Sequence, residues 1–87
     1  MDEEKKRVGI VSHYYNKINV AVVDLEDTLN KGDNIEIAGP TSHVQQTVDS
    51  MQIEHKDIPV AKKGQSIGLR VSGPVREKDI VYKLLQE

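Results

Sequence analysis

Two glycine-centred turns, each followed by an alternating strand, constrain the fold of this chain more than any other feature. Lys31-Gly32-Asp33 precedes Ile35-Glu36-Ile37, and Lys63-Gly64-Gln65 precedes Ile67-Gly68-Leu69-Arg70-Val71. Apolar and polar residues that alternate after a turn signal are typical of half-buried β-strands. The pattern therefore predicts a small antiparallel β-protein.

The composition favours the same fold class and a single domain. Val and Ile far outnumber Leu, and branching at the β-carbon suits pleated sheets better than helices. A chain of 87 residues forms one core of modest size. We expect residues 1–5 to form a disordered charged tail and residues 6–87 to form a single β-barrel domain.

The chain contains six segments that are predicted to be strands. They are Lys6–Tyr15, Ile18–Val23, Ile35–Ile37, His43–Glu54, Ser66–Val71 and Ile80–Leu84. The long fourth strand changes its parity near Ser50, which predicts a β-bulge there. The Leu25-x-x-x-Leu29 spacing predicts one helical turn within residues 24–30, acting as a lid. Because closure removes exposed sheet edges, six short strands predict a closed antiparallel barrel.

Charge and cysteine content limit the classes of partner and compartment. The chain has no cysteine, so disulfides and thiolate metal sites are excluded. It has neither a secretory leader nor a long apolar run, and we expect a cytoplasmic protein with no membrane partner. A net charge of -2 argues against indiscriminate binding to nucleic acid, and no DNA partner is expected. The basic residues form either a charge-mixed surface or a local phosphate-binding patch.

No arrangement of residues predicts catalysis, a metal site or a cofactor. His13, His43 and His55 share no ligand spacing with each other or with a carboxylate. The chain has no Gly-x-Ser-x-Gly elbow, no thiol and no paired carboxylates on an apolar background. We therefore expect a protein that is not an enzyme.

The spacing of several motifs resembles a known family of barrels. These motifs are Gly9-x-Val11, Leu29-x-x-Gly32-Asp33-x-Ile35, the run from Val48 to His55, and Ala61-x-x-Gly64-x-x-Ile67-Gly68-x-x-Val71-x-Gly73. Over residues 7–83 the chain resembles domain 2 of elongation factors Tu and 1-alpha. It also resembles stand-alone elongation-factor-like barrels and the C-terminal barrels of U32-type peptidases and RNA-modifying relatives. The resemblance implies a six-stranded closed Greek-key barrel of the translation-protein type.

The resemblance also suggests an interaction with RNA. In elongation factors this domain contacts the aminoacylated 3' end of transfer RNA, through a glutamate and an asparagine whose matching positions here hold Gln52 and Ser66. No Gly-x-x-x-x-Gly-Lys-Ser/Thr loop is present, so the chain carries no GTPase motif of that kind.

The segment from His13 to Lys17 is the main surface candidate. Tyr14 and Tyr15 point to opposite faces of a strand, so one of them is exposed beside a histidine and a lysine. Such a group suits RNA or a protein hot spot. The predicted partner-binding rim consists of His13, Tyr14, Lys17, Gln52, His55 and Lys56, with Ser66, Arg70 and Arg76 as secondary candidates.

Three functions remain open at this point. The first is a non-catalytic translation-factor-like module that binds transfer RNA, ribosomal RNA or a translation-associated protein. The second is an accessory subunit of a separately encoded U32 peptidase-like or RNA-modifying enzyme. The third is a structural module that self-associates through an exposed apolar face such as Gly9 and Val11.

Overall fold

The regular structure of this chain consists of β-strands alone. The computed structural model describes residues 4–85, and within that range it contains ten strands and no helix. The strands are β1 (Glu4–Tyr15), β2 (Val20–Leu25), β3 (Leu29–Asn30), β4 (Asn34–Ala38), β5 (His43–Thr47), β6 (Met51–Ile53), β7 (Lys56–Asp57), β8 (Val60–Ala61), β9 (Ser66–Arg70) and β10 (Ile80–Leu85). The all-β, antiparallel prediction is confirmed.

Eight of the strands form one antiparallel sheet. Their order is β5-β4-β10-β1-β2-β9-β6-β7, while β3 and β8 form a separate two-stranded pair. The outermost strands, β5 and β7, are not hydrogen-bonded to each other, so the described residues do not form the predicted six-stranded closed barrel. No helix in this part of the chain could cross a membrane.

A side chain, rather than a ladder, connects the edge strand β5 to the far side of the sheet. Gln46 Nε2 donates to the carbonyl of Arg70 at 2.8 Å, and the amide of Ser72 donates to Gln46 Oε1 at 2.6 Å. A primary amide carries a donor and an acceptor, as a peptide group does. The Gln46 side chain therefore makes the two hydrogen bonds that a paired strand would make with the backbone at this position.

The long first strand contains two register irregularities. Its pairing with β10 shifts between Arg7 and Gly9, and its pairing with β2 shifts between Val11 and His13. A β-bulge inserts one residue and moves later side chains to the opposite face. As a result Val8 and Val11 are both buried in the core.

The predicted self-association face at Gly9 and Val11 is wrong, because the bulges turn both residues into the core. Gly9 and Val11 are buried, and a Cβ added to Gly9 would lie 2.8 Å from the Asp24 carbonyl oxygen. Neither residue is therefore available to a second copy of the chain.

Two other predicted elements differ in the structure. The predicted fourth strand is divided into β5 and β6, because the backbone of Val48 bonds to Gly32 and Asp33 in a neighbouring turn. The predicted helical lid after Asp24 is absent: β2 continues to Leu25, and Leu29 then pairs with Ala61. Long-range backbone hydrogen bonds therefore replace the local helical ones.

Both ends of the described chain lie at the same pole. Glu4, at the start of β1, pairs with Leu85 at the end of β10. The strand thus begins before the predicted tail boundary, and residues 1–3 of that tail lie outside the described residues. A 12-residue strand spans on the order of 35 Å, which is close to the longest dimension of the molecule, 38 Å. The Tyr15 end of β1 is therefore far from the chain ends.

Candidate functional site

The hairpin formed by β1 and β2 presents an apolar surface at the pole remote from the chain ends. After the bulge at Ser12, His13 pairs with Val22 and Tyr15 pairs with Val20, and all four side chains lie on the outer face of the sheet. Tyr14 instead pairs with the buried Ala21 and packs against the core. The exposed tyrosine of this segment is therefore Tyr15, whose exposed fraction is 50%.

A groove of about 430 Å³ lies beside this hairpin. We call it the hairpin groove, and it is lined by Tyr15, Ile18, Val20, Val22, Gln52, Glu54, His55 and Gly68. Its floor follows from strand register: Gly68 pairs with Val22 on one side and with Gln52 on the other. Because glycine has no side chain, the row of side chains across the sheet is interrupted there, which leaves a hollow.

One wall of the hairpin groove is the tight turn between β6 and β7. Ile53 pairs with Lys56, so the loop consists of only Glu54 and His55, and both have positive φ, at 52° and 66°. Two successive residues with positive φ form a type I′ turn, which normally uses Asn and Gly. Non-glycine residues in that conformation cost free energy and cluster at functional sites. The two side chains of this turn are therefore held at the edge of the groove by the hairpin geometry.

Three further contacts hold the walls in place. The His13 and Tyr15 rings pack edge to face with centroids 4.3 Å apart. His13 Nδ1 lies 3.3 Å from a carboxylate oxygen of Glu77. Gln52 Nε2 donates to Asp57 at 3.0 Å, and within residues 4–85 no group donates to the side-chain oxygen of Gln52, which can accept a hydrogen bond from a ligand.

The structure brings only part of the predicted rim together. Gln52 and His55 line the hairpin groove, whereas Lys56 lies on the edge strand β7 and lines none of the hollows described here. His13, Tyr14 and Lys17 line an adjoining hollow of about 300 Å³ at the hairpin tip, which shares Tyr15 and Ile18 with the groove.

The secondary candidates lie elsewhere. Ser66 donates to Asp24 at 2.6 Å. Arg70 lines a separate hollow of about 360 Å³ with Gln46. Arg76 is exposed, and its backbone amide donates to the buried carboxylate of Asp79.

Sequence reasoning missed the apolar side of the groove. Ile18 is 62% exposed in the hairpin turn, and Val20 and Val22 are half-buried on the outer face. The sequence signal for this surface was Ile18, an apolar residue in the turn between two strands, where a polar residue is usual. No local signal indicates that Tyr15 is exposed in place of the predicted Tyr14, because the bulge at Ser12 depends on pairing with β2.

The charged clusters lie outside the hairpin groove and are ion pairs. Burial raises the pKa of Glu36, but hydrogen bonds from His43 and Lys5 outweigh it and hold that pKa below its ordinary value. The hydrogen bond from Lys6 is the main reason that the pKa of Asp27 is lowered. Within residues 4–85, no group of three or more His, Asp or Glu side chains is gathered in a way that could hold a metal ion.

Comparison with known proteins identifies the family. The model of the peptidase family U32 C-terminal domain matches residues 3–81. This chain belongs to the family of U32 peptidase C-terminal domains. The match includes the β1–β2 hairpin and the β6–β7 hairpin, which together line the hairpin groove.

Curated relatives of this U32 C-terminal domain are much longer proteins. A Methanocaldococcus jannaschii protein described as an uncharacterized protease is 44% identical over 81 residues, and a Porphyromonas gingivalis collagenase is 35% identical over 82 residues. Each match covers 92% of this chain but only 20% and 23% of the relative. The chain thus spans about a fifth of the length of these relatives.

Solved structures show the same fold. Two crystal structures of the C-terminal domain of a Geobacillus thermoleovorans protein assigned to the U32 peptidases superpose with TM-scores of 0.82 and 0.84, at 20% and 21% identity. The alignments cover 87% and 90% of this chain, and 96% and 91% of the other. These findings support the U32 part of the resemblance drawn from the sequence, and they do not show the resemblance to elongation factor domain 2.

Proposed function

We propose that this chain is a non-catalytic accessory module of a U32-type peptidase. It acts beside the catalytic part, either within one chain or as a separately encoded partner. The observation that carries the proposal is the family match over residues 3–81, in a chain that spans only about a fifth of its peptidase relatives. The activity of the relatives then belongs to the remaining four-fifths of their sequence.

The electrostatics of the described residues support a non-catalytic role. The displaced pKa values of Arg7, Asp27 and Glu36 are explained by pairing, because each of these groups is bonded to an oppositely charged side chain. The Arg7 guanidinium, for example, donates to both carboxylate oxygens of Glu26, at 2.9 and 3.0 Å. Displaced pKa values mark active sites when they occur in a cleft, whereas these groups form structural ion pairs outside the hairpin groove.

The position of the chain ends supports association at one pole. Because Glu4 and Leu85 are paired, a catalytic part joined to either end reaches the same pole of the module. Leu85 is 45% exposed there, and the ammonium group of Lys5 lies 4.6 Å from the centre of the Tyr82 ring. This chain-end pole, defined by Lys5, Tyr82 and Leu85, is the surface that we assign to the catalytic part.

We do not carry forward the RNA or translation-associated partner. The relatives and structures described above are U32 proteins and give no support to a translation role. The groove beside the predicted rim is lined on one side by Tyr15, Ile18, Val20 and Val22, where a phosphate-binding surface needs cations. A cytoplasmic location stays a prediction from the sequence.

Co-purification tests the proposed function. The M. jannaschii relative is expressed without the segment that matches this chain, and the present chain is added with an affinity tag. We expect the two to elute together, and the complex to change the amide signals of Lys5, Tyr82 and Leu85. The chain alone should not cleave gelatin.

A matched pair of variants locates the contact. Leu85→Ser should weaken the complex, whereas Val60→Ser, which changes another exposed apolar residue, should not. Cleavage of gelatin by the chain alone, or failure to form the complex while transfer RNA shifts the signals of the predicted rim, would contradict the proposal.

A further inference from the structure

The hairpin groove lies at the pole that the proposed function leaves free. The chain ends pair at Glu4, and the groove begins at Tyr15, which is the other end of a 12-residue strand. A catalytic part joined at the chain ends therefore meets the chain-end pole first. The groove faces outward in such an assembly and is open to another molecule.

The exposed apolar area is too small for a stable interface with a second folded protein. Tyr15 and Ile18 are 50% and 62% exposed, while Val20 and Val22 are half-buried. Four such side chains present at most a few hundred Å², whereas a stable interface buries roughly 800 Å² on each partner. A second copy of the chain is therefore a poor occupant, and a short segment is a better one.

The polar groups of the groove suit a peptide backbone. The side-chain oxygen of Gln52 accepts no hydrogen bond from the part of the chain that the structure describes, while the nitrogen of the same amide donates to Asp57. Glu54, in the adjacent turn, places a carboxylate acceptor on the same wall. An extended polypeptide presents N–H donors at regular spacing beside its side chains, and peptide recognition combines such hydrogen bonds with pockets for side chains. The opposite wall offers apolar contacts to those side chains.

The groove is also pre-organised. The edge-to-face contact with His13 and the hydrogen bond to Asp57 favour the observed orientations of Tyr15 and Gln52. The Glu54-His55 turn is held in a costly backbone conformation. Rigid walls reduce the entropy lost when a ligand binds, which favours recognition by a small surface.

We propose that the hairpin groove binds an extended polypeptide segment through one large apolar side chain. The side chain packs over Gly68 against Tyr15 and Ile18, and a backbone amide of the segment donates to Gln52. The proposal rests on the proposed function for its context, since a peptidase module with an outward-facing peptide site would hold the substrate chain. It makes the groove a site for unfolded or extended protein.

Titration of the isotopically labelled 87-residue chain with blocked peptides tests this proposal. The probes are acetyl-Gly-Gly-Xaa-Gly-Gly-amide peptides in which Xaa is Leu, Phe or Ser. We expect the Leu and Phe peptides to shift the amide signals of Ile18, Gln52 and Gly68, and the Ser peptide to bind at least tenfold more weakly. Equal binding of all three peptides, or no shift in the groove, would overturn the proposal.

Two pairs of variants make the test specific. Gly68→Ala adds a methyl group to the floor at 3.5 Å from Val20, an ordinary contact that the fold accommodates, and it should weaken binding at least threefold. Ile18→Ser should do the same, whereas Val60→Ser, on the separate strand β8, should leave binding unchanged. Equal losses in Ile18→Ser and Val60→Ser would overturn the assignment to the groove.

The two proposals fail in different ways. If the catalytic part of the relative shifts the groove signals and blocks the peptides, the groove is a docking surface and the peptide site is wrong, while the accessory role stands. If peptides bind but no complex with the catalytic part forms, the accessory role is wrong and the peptide site stands. Shifts caused by transfer RNA alone would overturn the peptide site.

Discussion

Single residues decide how closely the strands of this protein approach one another. Gly9 and Gly68 both lie within strands, yet their surroundings differ. A Cβ at Gly9 would meet the Asp24 carbonyl oxygen and the Val23 side chain at 2.8 Å, whereas a Cβ at Gly68 would make only ordinary contacts, of 3.5 Å and longer. Gly9 is thus required by packing, and Gly68 leaves open space that becomes the floor of the hairpin groove.

Replacing each of these glycines by alanine should have opposite effects on the free energy of unfolding. Gly9→Ala should lower the free energy of unfolding by about 1–3 kcal/mol, because the added methyl group forces the backbone of β1 away from β2. Gly68→Ala should raise it by about 0.5 kcal/mol, since alanine loses less backbone entropy than glycine on folding. Urea denaturation of both variants measures the difference. Equal effects would mean that the strand spacing at Gly9 is not tight.

The Glu36 cluster predicts a dependence of stability on pH. His43 Nε2 lies 2.6 Å from one Glu36 oxygen and Lys5 Nζ lies 3.3 Å from the other. The folded state therefore lowers the pKa of Glu36 below its ordinary value of 4.5. A lowered carboxylate pKa contributes stability that is present above the unfolded-state pKa and is lost as the pH falls through the folded-state pKa.

Glu36→Gln isolates this contribution. At pH 7 we expect the variant to be less stable by about 1 kcal/mol, because charge-assisted hydrogen bonds are lost. The difference between the two proteins should shrink as the pH falls below 4.5 and through the lowered folded-state pKa, because Glu36 of the unmodified protein then takes up a proton. Urea titrations at several pH values measure it. A difference that stays constant from pH 7 to pH 3 would exclude this carboxylate as the cause.

At the scale of elements, the sheet is completed by side chains as well as by strands. The Gln46 amide joins edge strand β5 to the backbone of Arg70 and Ser72, on the far side of the sheet. Sequence alternation could identify β5 and β9 as strands, since that signal is local. It could not identify the side-chain bridge, because the partners are 24 and 26 residues away.

Gln46→Ala should weaken the connection between β5 and the backbone of Arg70 and Ser72. We expect a loss of about 1 kcal/mol in stability, because two backbone groups lose their partner and must bond to water. Hydrogen exchange at the Ser72 amide should accelerate more than exchange in β1 or β10. Gln45→Ala, which changes the neighbouring exposed glutamine, is the matched control and should leave Ser72 protection unchanged. Equal exchange in the two variants would argue against the bridge.

At the scale of the whole molecule, β1 separates two poles with different properties. The chain-end pole carries Glu4 and Leu85, while the opposite pole carries the hairpin groove. A domain with adjacent ends can be attached to a larger protein at one point, and it tolerates reconnection of its ends. This arrangement is compatible with a domain that accounts for about a fifth of a longer relative.

Circular permutation tests the paired ends. A short Gly-Ser linker that joins the two ends, with new ends opened between the exposed residues Pro40 and Thr41, should give a folded protein. We expect the β-rich circular dichroism spectrum and cooperative urea unfolding to be retained, because the opening lies in the loop between β4 and β5. A permutant that unfolds would show that the pole is not organised as described.

The fold class, most strand positions and the turns could be predicted from the sequence, because alternation and glycine-centred turns are local signals. It also brought Gln52 and His55 to attention, and the structure places both in the hairpin groove. Three outcomes became clear only from the folded structure: Tyr15 rather than Tyr14 is exposed, Gly9 and Val11 are buried, and β5 and β7 do not pair with each other. Those outcomes depend on bulges and edge contacts, which are fixed by hydrogen bonds to residues distant in sequence.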